Sequence, residues 1–188
     1  MSSKREQLLK IVDTIQPGDE LESEHIKDVV RWIKSGEPLY RISKPDNPPK
    51  HLVSYFVVVD MPNKSLLLID HLKAHLWLPT GGHVEIDEDP KDTVLREAEE
   101  ELSIHADFLP SVGTNPLFIT ATPTNETYPH TDVSLWYVIH GNIDDVYDYD
   151  RTEFSSYKWF TFDEVLALDI DTIDPQMHRF TQKLMSTA

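Results

Sequence analysis

Gly81-Gly82-His83-Val84-Glu85-Ile86-Asp87-Glu88-Asp89-Pro90-Lys91-Asp92-Thr93-Val94-Leu95-Arg96-Glu97-Ala98-Glu99-Glu100-Glu101-Leu102-Ser103-Ile104 is the stretch on which the reading of this chain turns. Asp89 is a helix cap and Pro90 suits the first helical position, so the spacing predicts a helix over 90–103. At about 100° per residue, Val94, Leu95, Ala98 and Leu102 form one apolar stripe. Glu97, Glu100 and Glu101 fall together on the adjoining face, while Glu99 points away, on the side of Arg96.

That face is costly as it stands. Like charges three and four residues apart repel by roughly 0.2–0.5 kcal/mol per pair. Carboxylates in the last turn oppose the helix dipole at about 0.3–1 kcal/mol each. A bound dication would reverse both effects, since hard cations take carboxylate, carbonyl and water oxygens. A solvated acidic surface is the other outcome open to a Glu-rich helix. The loop before it favours the ion. Gly81-Gly82 lets the backbone turn sharply and come close to a ligand, with a carbonyl there as a further metal ligand. Arg96 is placed to pair with Glu88 and lock loop to helix, as a guanidinium suits a carboxylate.

Working outward, Leu76-Trp77-Leu78 is a short apolar piece ahead of Pro79-Thr80-Gly81-Gly82, read as a loop. Runs at 52–59 and 66–69, joined by Met61-Pro62-Asn63-Lys64, predict a hairpin. Further strands are predicted at 116–122, 132–140 and 156–161. Short helices are predicted near 163–168 and 175–185, the last capped by Asp174-Pro175. Before residue 44, Leu8, Ile11, Val12 and Ile15 give one helix over 4–15. Ile26, Val29, Val30 and Ile33 give another over 20–35, stopped by Gly36. Lys44-Pro45-Asp46-Asn47-Pro48-Pro49 reads as a stiff linker. Residues 1–44 are therefore expected to be a helical extension on a main domain at 45–188. The fold class expected is α/β (α+β), a sandwich around a mixed sheet.

The chain has 188 residues and 39% hydrophobic residues, enough for one domain with a real core. It lacks cysteine, which excludes disulfides and thiolate metal sites and makes a cytoplasmic location the default expectation. The polar start, Met1-Ser2-Ser3-Lys4-Arg5-Glu6, lacks the apolar segment of a secretory signal, and no apolar run approaches the ~18 residues of a membrane span. Seventeen basic against 33 acidic residues give a net charge of −16. Such a field repels nucleic acid and anionic membranes, so neither is an expected partner. A phosphate-bearing substrate would need cations as intermediaries.

The stretch resembles the Nudix box, G-x5-E-x7-R-E-U-x-E-E-x-G-U with U a bulky apolar residue. It does so through Gly82, Glu88, Arg96, Glu97, Ala98, Glu100, Glu101 and Ile104. Two positions depart from the pattern: Ser103 stands where the box has glycine, and Ala98 is small for U. The strand pattern from about 51 to 161 is similar to the Nudix core. Asp70-His71-Leu72-Lys73, Gly81–Glu85 and Pro129-His130-Thr131-Asp132 are similar to a bacterial subgroup with a Gly-Gly-His-Val-Glu loop. The resemblance implies a hydrolase that cleaves a phosphoanhydride of a small nucleotide-type substrate with Mg²⁺ or Mn²⁺. It implies Glu97 and Glu101 as direct metal ligands, Glu100 as a ligand or water-orienting group, and Gly81 as a carbonyl ligand. Arg96 and Glu88 complete the catalytic set.

The base is sought at Glu153, six residues before Trp159, where some Nudix enzymes carry a loop acid. A surface acid among Asp144, Asp145, Asp148 and Asp150 is the plainer alternative. Lys73, His83, His130 and Asp132 are candidates for substrate contact. Trp77, Trp136 and Trp159 could stack a base, although aromatics in strands more often belong to the core. Family members often dimerise, which makes a homodimer an expectation. The competing reading is a non-catalytic Nudix-fold nucleotide sensor. Such proteins tend to lose box carboxylates, and this chain keeps every one.

Overall fold

A computed structural model describes residues 3–44, 46–124 and 129–187; Pro45 of the expected linker lies outside them. The extended run at 50–60 grows into the longest strand, β1 (Lys50–Asp60), and the Met61–Lys64 turn returns the chain as β2 (Ser65–His71). The expected hairpin is thus present, and longer at both ends. β3 (Trp77–Leu78) pairs with β2. The loop expected at 79–82 is instead part of a strand, β4 (Thr80–His83), antiparallel to β1, with Gly81 opposite Tyr55 and Gly82 opposite Ser54. Two glycines weaken strand propensity, yet they let one backbone come close to another, and that governs here.

The helix α3 (Pro90–Leu102) follows, with Asp89 accepting from the Lys91 N–H at 3.0 Å. The other strands are β5 (Phe118–Pro123), β6 (Thr131–His140) and β7 (Phe154–Thr161); α4 (Phe162–Ala167) and α5 (Met177–Thr187) close the chain. Asp174 caps the turn leading into α5 by accepting from the Gln176 N–H at 2.7 Å, so the regular helix starts two residues past the expected point.

The sheet is mixed, as expected. Its order is β3-β2-β1-β6-β5, with β4 also on β1 and β7 on β2; β1 and β6 run parallel and the other pairings are antiparallel. β1 is buried on both faces. Leu52, Phe56 and Val58 meet α3 with α1 (Lys4–Asp13) and α2 (Glu20–Ser35), while Val57 and Val59 meet α4 and α5. Helices on both faces make the α+β sandwich.

The N-terminal helices are built into that core. Ser3 and Glu6 form a capping box on α1, and Gly36, at φ 88°, ends α2. Leu8, Val12, Val29, Trp32 and Ile33 are buried in the cluster that also holds α3. Glu22 of α2 is fully buried, receiving Lys183 Nζ of α5 at 2.7 and 2.9 Å and the N–H groups of Gly18 and Ile119. Among the described residues no helix is long and apolar enough to cross a membrane.

Candidate active site

The site begins with a packing constraint. Gly81 has φ +135°, and a Cβ there would lie 2.2 Å from the Ser54 carbonyl oxygen; a Cβ on Gly82 would lie 2.1 Å from Glu97 Oε1. Both glycines are therefore needed for β4 to lie between β1 and α3, and the Glu97 carboxylate fills the space that a side chain at 82 would take. Ser54 Oγ donates to the Pro90 carbonyl at 2.8 Å and fixes the start of α3 on β1. The Gly81 N–H donates to Glu101 Oε2 at 2.7 Å.

Arg96 joins loop and helix as the sequence leads one to expect. Its Nε donates to Glu88 Oε1 at 3.0 Å and its Nη2 to Glu88 Oε2 at 3.1 Å and to the His83 carbonyl at 3.2 Å. Its Nη1 donates to Glu97 Oε1 at 2.6 Å and to Glu100 Oε2 at 3.3 Å. Arg96 thus turns toward Glu97 and Glu100, not to the side of Glu99, which is exposed. Glu88 also accepts from the Glu85 N–H and from Thr93 Oγ1. Burial raises the Glu88 carboxyl, but these bonds outweigh it and hold it below the usual range.

Glu97, Glu100 and Glu101 differ in environment. Burial pushes Glu97 up despite Arg96. Glu101 is driven well above the usual range, by desolvation first and then by the neighbouring Glu97 carboxylate, with Glu153 and Asp150 adding to the field. Glu100 keeps 60% of its side chain exposed, against 13% for Glu97. Carboxylates desolvated against one another fit a divalent cation, and the hard oxygen set of Glu97, Glu101, Glu100 and the Gly81 carbonyl suits Mg²⁺ or Mn²⁺.

The remaining expected residues separate into three groups. Glu153 sits on the loop that reaches α3 through the Asp150 N–H and Glu101 carbonyl at 2.9 Å, close enough for its charge to act on Glu101. Lys73 is exposed, on a turn tied to that loop by the Leu72 N–H and the Glu153 carbonyl. Trp136 is core, donating to Thr120 Oγ1, whereas Trp77 and Trp159 are partly buried. His83, His130 and Asp132 come together with two residues the sequence reading did not single out, His51 and Asp46. Parallel pairing sets His51 opposite Asp132, and Asp46 lies 3.5 Å from His130 Nδ1. No local pattern marks either residue, because the parallel register brings in His51 and the turn before β1 brings in Asp46. Desolvation first, and then Arg41, lower His83 to about 4. Desolvation also acts to lower His51, but its contact with Asp132 outweighs this and raises it.

A family model described as the NUDIX domain matches residues 50–184. A NUDIX-family hydrolase from Clostridium perfringens superposes with a TM-score of 0.56 at 20% identity, over 73% of this chain and 98% of its own. The dihydroneopterin triphosphate pyrophosphohydrolase of E. coli superposes at 0.56 and 14% identity, over 80% and 100%. An Ap4A hydrolase from C. elegans, solved as a binary complex, superposes at 0.54 and 18%, over 73% and 95%. A search of curated protein sequences finds no match. The model match takes in the whole sheet, α3 and its acidic box, and the chain belongs to the Nudix family as a Nudix hydrolase.

Proposed function

We propose that this protein is a Mg²⁺- or Mn²⁺-dependent hydrolase that cleaves a phosphoanhydride bond in a small nucleoside diphosphate derivative, in the cytoplasm. One observation carries the reading: Glu101, drawn out of water beside the Glu97 carboxylate, and Glu97 itself both meet a glycine backbone that admits no side chain. Two of the structures it resembles are named as an Ap4A hydrolase and a dihydroneopterin triphosphate pyrophosphohydrolase, and both names support a phosphoanhydride substrate.

Glu97, Glu101 and the Gly81 carbonyl would hold the ion, with Glu100 at its open side. When bound, the ion supplies neutralisation of phosphate charge and acidification of water. The chain's own groups do the rest. Arg96, fixed by Glu88, holds Glu97 and Glu100 in register. Glu100, the more exposed of the three, orients water at the mouth of the site. Glu153, on a loop whose charge reaches Glu101, is the candidate to take the proton of the attacking water. Residues 1–44 act as an extension that supports the catalytic unit at 45–188.

The test is phosphate release from a panel of nucleotides and nucleotide conjugates with Mg²⁺ or Mn²⁺, beside Glu101→Gln. Metal-dependent turnover should fall by roughly a thousandfold or more in the variant, since several kcal/mol of charge stabilisation are lost. Full activity in Glu101→Gln would overturn the assignment. Binding of a nucleotide without any turnover across the panel would favour a sensor.

A further inference from the structure

The cluster formed by His51, His83, His130, Asp132 and Asp46 is not used by the reaction above, yet it has the chemistry of a second site. His51 Nε2 lies 3.1 Å from His83 Nε2 and 3.2 Å from Asp132 Oδ1. The ligand atoms of these three residues all fall within 4.8 Å of one another. They come from β1, β4 and β6, so the sheet itself sets their spacing. A tetrahedral zinc with bonds of about 2.0–2.1 Å places its ligand atoms about 3.3 Å apart. The two separations from His51 match that edge within a few tenths of an ångström.

The proton positions point the same way. His51 Nδ1 lies 2.9 Å from the Pro48 carbonyl oxygen, which can only accept. In the neutral ring that nitrogen therefore carries the proton, and Nε2 turns a lone pair toward Asp132 and His83. Asp132 Oδ1 is buried, with His51 Nε2 at 3.2 Å and His130 Nε2 at 3.4 Å. Two ring nitrogens and a carboxylate oxygen thus converge, and a cation that displaces the proton shared by His51 and His83 answers all three, as an anion does not. Two nearby carboxylates, Asp132 and Asp46, also disfavour a phosphate here. Arg41, whose charge opposes a cation at His83, is itself paired with Asp46 at 3.0 Å. That pairing occupies Asp46 and leaves His51, His83 and Asp132 as the set of choice. His130 stacks on His51 at 5.2 Å and sets its Nε2 3.4 Å from Asp132 Oδ1, which orients that carboxylate.

We propose that His51, His83 and Asp132 bind a transition-metal dication of the zinc class, separate from the hard-cation site on α3, with His130 orienting Asp132. Imidazole nitrogens prefer such ions, whereas an all-oxygen site suits Mg²⁺. Three protein ligands leave a fourth position for water or a substrate oxygen. The two sites are near neighbours in the chain, since His83 follows the glycine against which Glu97 packs and its carbonyl accepts from Arg96.

The test is calorimetric titration of the full chain with Zn²⁺, with millimolar Mg²⁺ present to saturate the carboxylate site. One Zn²⁺ should bind per chain. His51→Gln and Asp132→Asn should each weaken it by about 100-fold or more, as losing a direct ligand costs at least what a supporting residue does. Glu97→Gln should leave it unchanged. Should either cluster variant fail to fold, imidazole NMR of the unaltered protein decides. Zn²⁺ should shift the ring signals of His51 and His83 at one equivalent. Unmoved signals, no uptake of Zn²⁺, or equal affinity in His51→Gln would overturn the proposal and leave the cluster as a His51–Asp132 contact within the sheet. Because the readout is binding, its failure leaves the hydrolase reading untouched, and loss of hydrolysis says nothing against this site.

Discussion

Glu22 and Glu101 are both carboxylates withdrawn from bulk water, and the protein treats them in opposite ways. Glu22 receives both an ammonium group and two backbone N–H groups, from α5, the α1–α2 loop and β5. Glu101 receives a single backbone N–H, from Gly81, and faces the fields of Glu97, Glu153 and Asp150. A buried charge answered from within the chain holds the structure together. One left facing like charges requires something from solution. The difference separates structural from functional acids without reference to either one's place in a motif.

Four measurements would break or sharpen this contrast. The largest effect belongs to the answered charge. Lys183→Met strands Glu22 in the core and should cost about 3–5 kcal/mol in denaturant unfolding. Pairing it with Glu22→Gln should recover most of that loss, since no buried charge is then left uncompensated. Equal instability of the double variant would mean that the pair is no more than two packed side chains. Next comes the unanswered charge. Mg²⁺ at about a hundred times its dissociation constant should stabilise the protein by about 2.7 kcal/mol. Glu101→Gln should abolish that gain in thermal unfolding, and an equal gain in the variant would move the ion elsewhere.

A third carboxyl lies between these extremes. Desolvation pushes Asp174 up to about 6, though it still caps the Gln176 N–H. Its unfolded value is near 3.9, so the folded state binds the proton more tightly. The penalty is absent below about pH 4, grows between 4 and 6, and is complete above 6. Asp174→Asn keeps the cap and should add roughly 2–3 kcal/mol at pH 7.5 and almost nothing at pH 4. A gain of the same size at both pH values would assign the effect to packing. The smallest effect concerns Ser103, which ends α3 at φ 52° so that the Ile104 N–H reaches the Ala98 carbonyl at 3.2 Å. Ser103→Gly should stabilise by about 0.5–1 kcal/mol, because glycine adopts that conformation without a Cβ penalty. A destabilised variant would show that the serine side chain supports the turn.

What the sequence disclosed follows from how local each interaction is. α2 and α3 were legible from periodicity and from Asp89-Pro90, and the Glu88–Arg96 pair from eight residues of spacing. The departure at Ser103 becomes intelligible as a left-handed helix end that the family fills with glycine. β4 was hidden because two glycines read as a loop, while their reason for being there lies in β1 and in Glu97. His51 was hidden because it acquires meaning only from a parallel register with β6. The Glu22–Lys183 pair could not be read at all, since periodicity placed Glu22 on no apolar face and its partner is 161 residues away.

That separation has a consequence for the order in which the protein can be made. A ribosome releases α2 early, yet the lysine that neutralises Glu22 emerges only with the final helix. The parallel partner of β1 likewise emerges after the whole segment that carries the acidic loop and α3. Contacts this distant along the chain slow the search for the native state. Until α5 is free, Glu22 lacks the ammonium group that meets it in the folded chain. Docking of α5 therefore belongs late in assembly, because both its lysine and its apolar face find their partners far back along the chain.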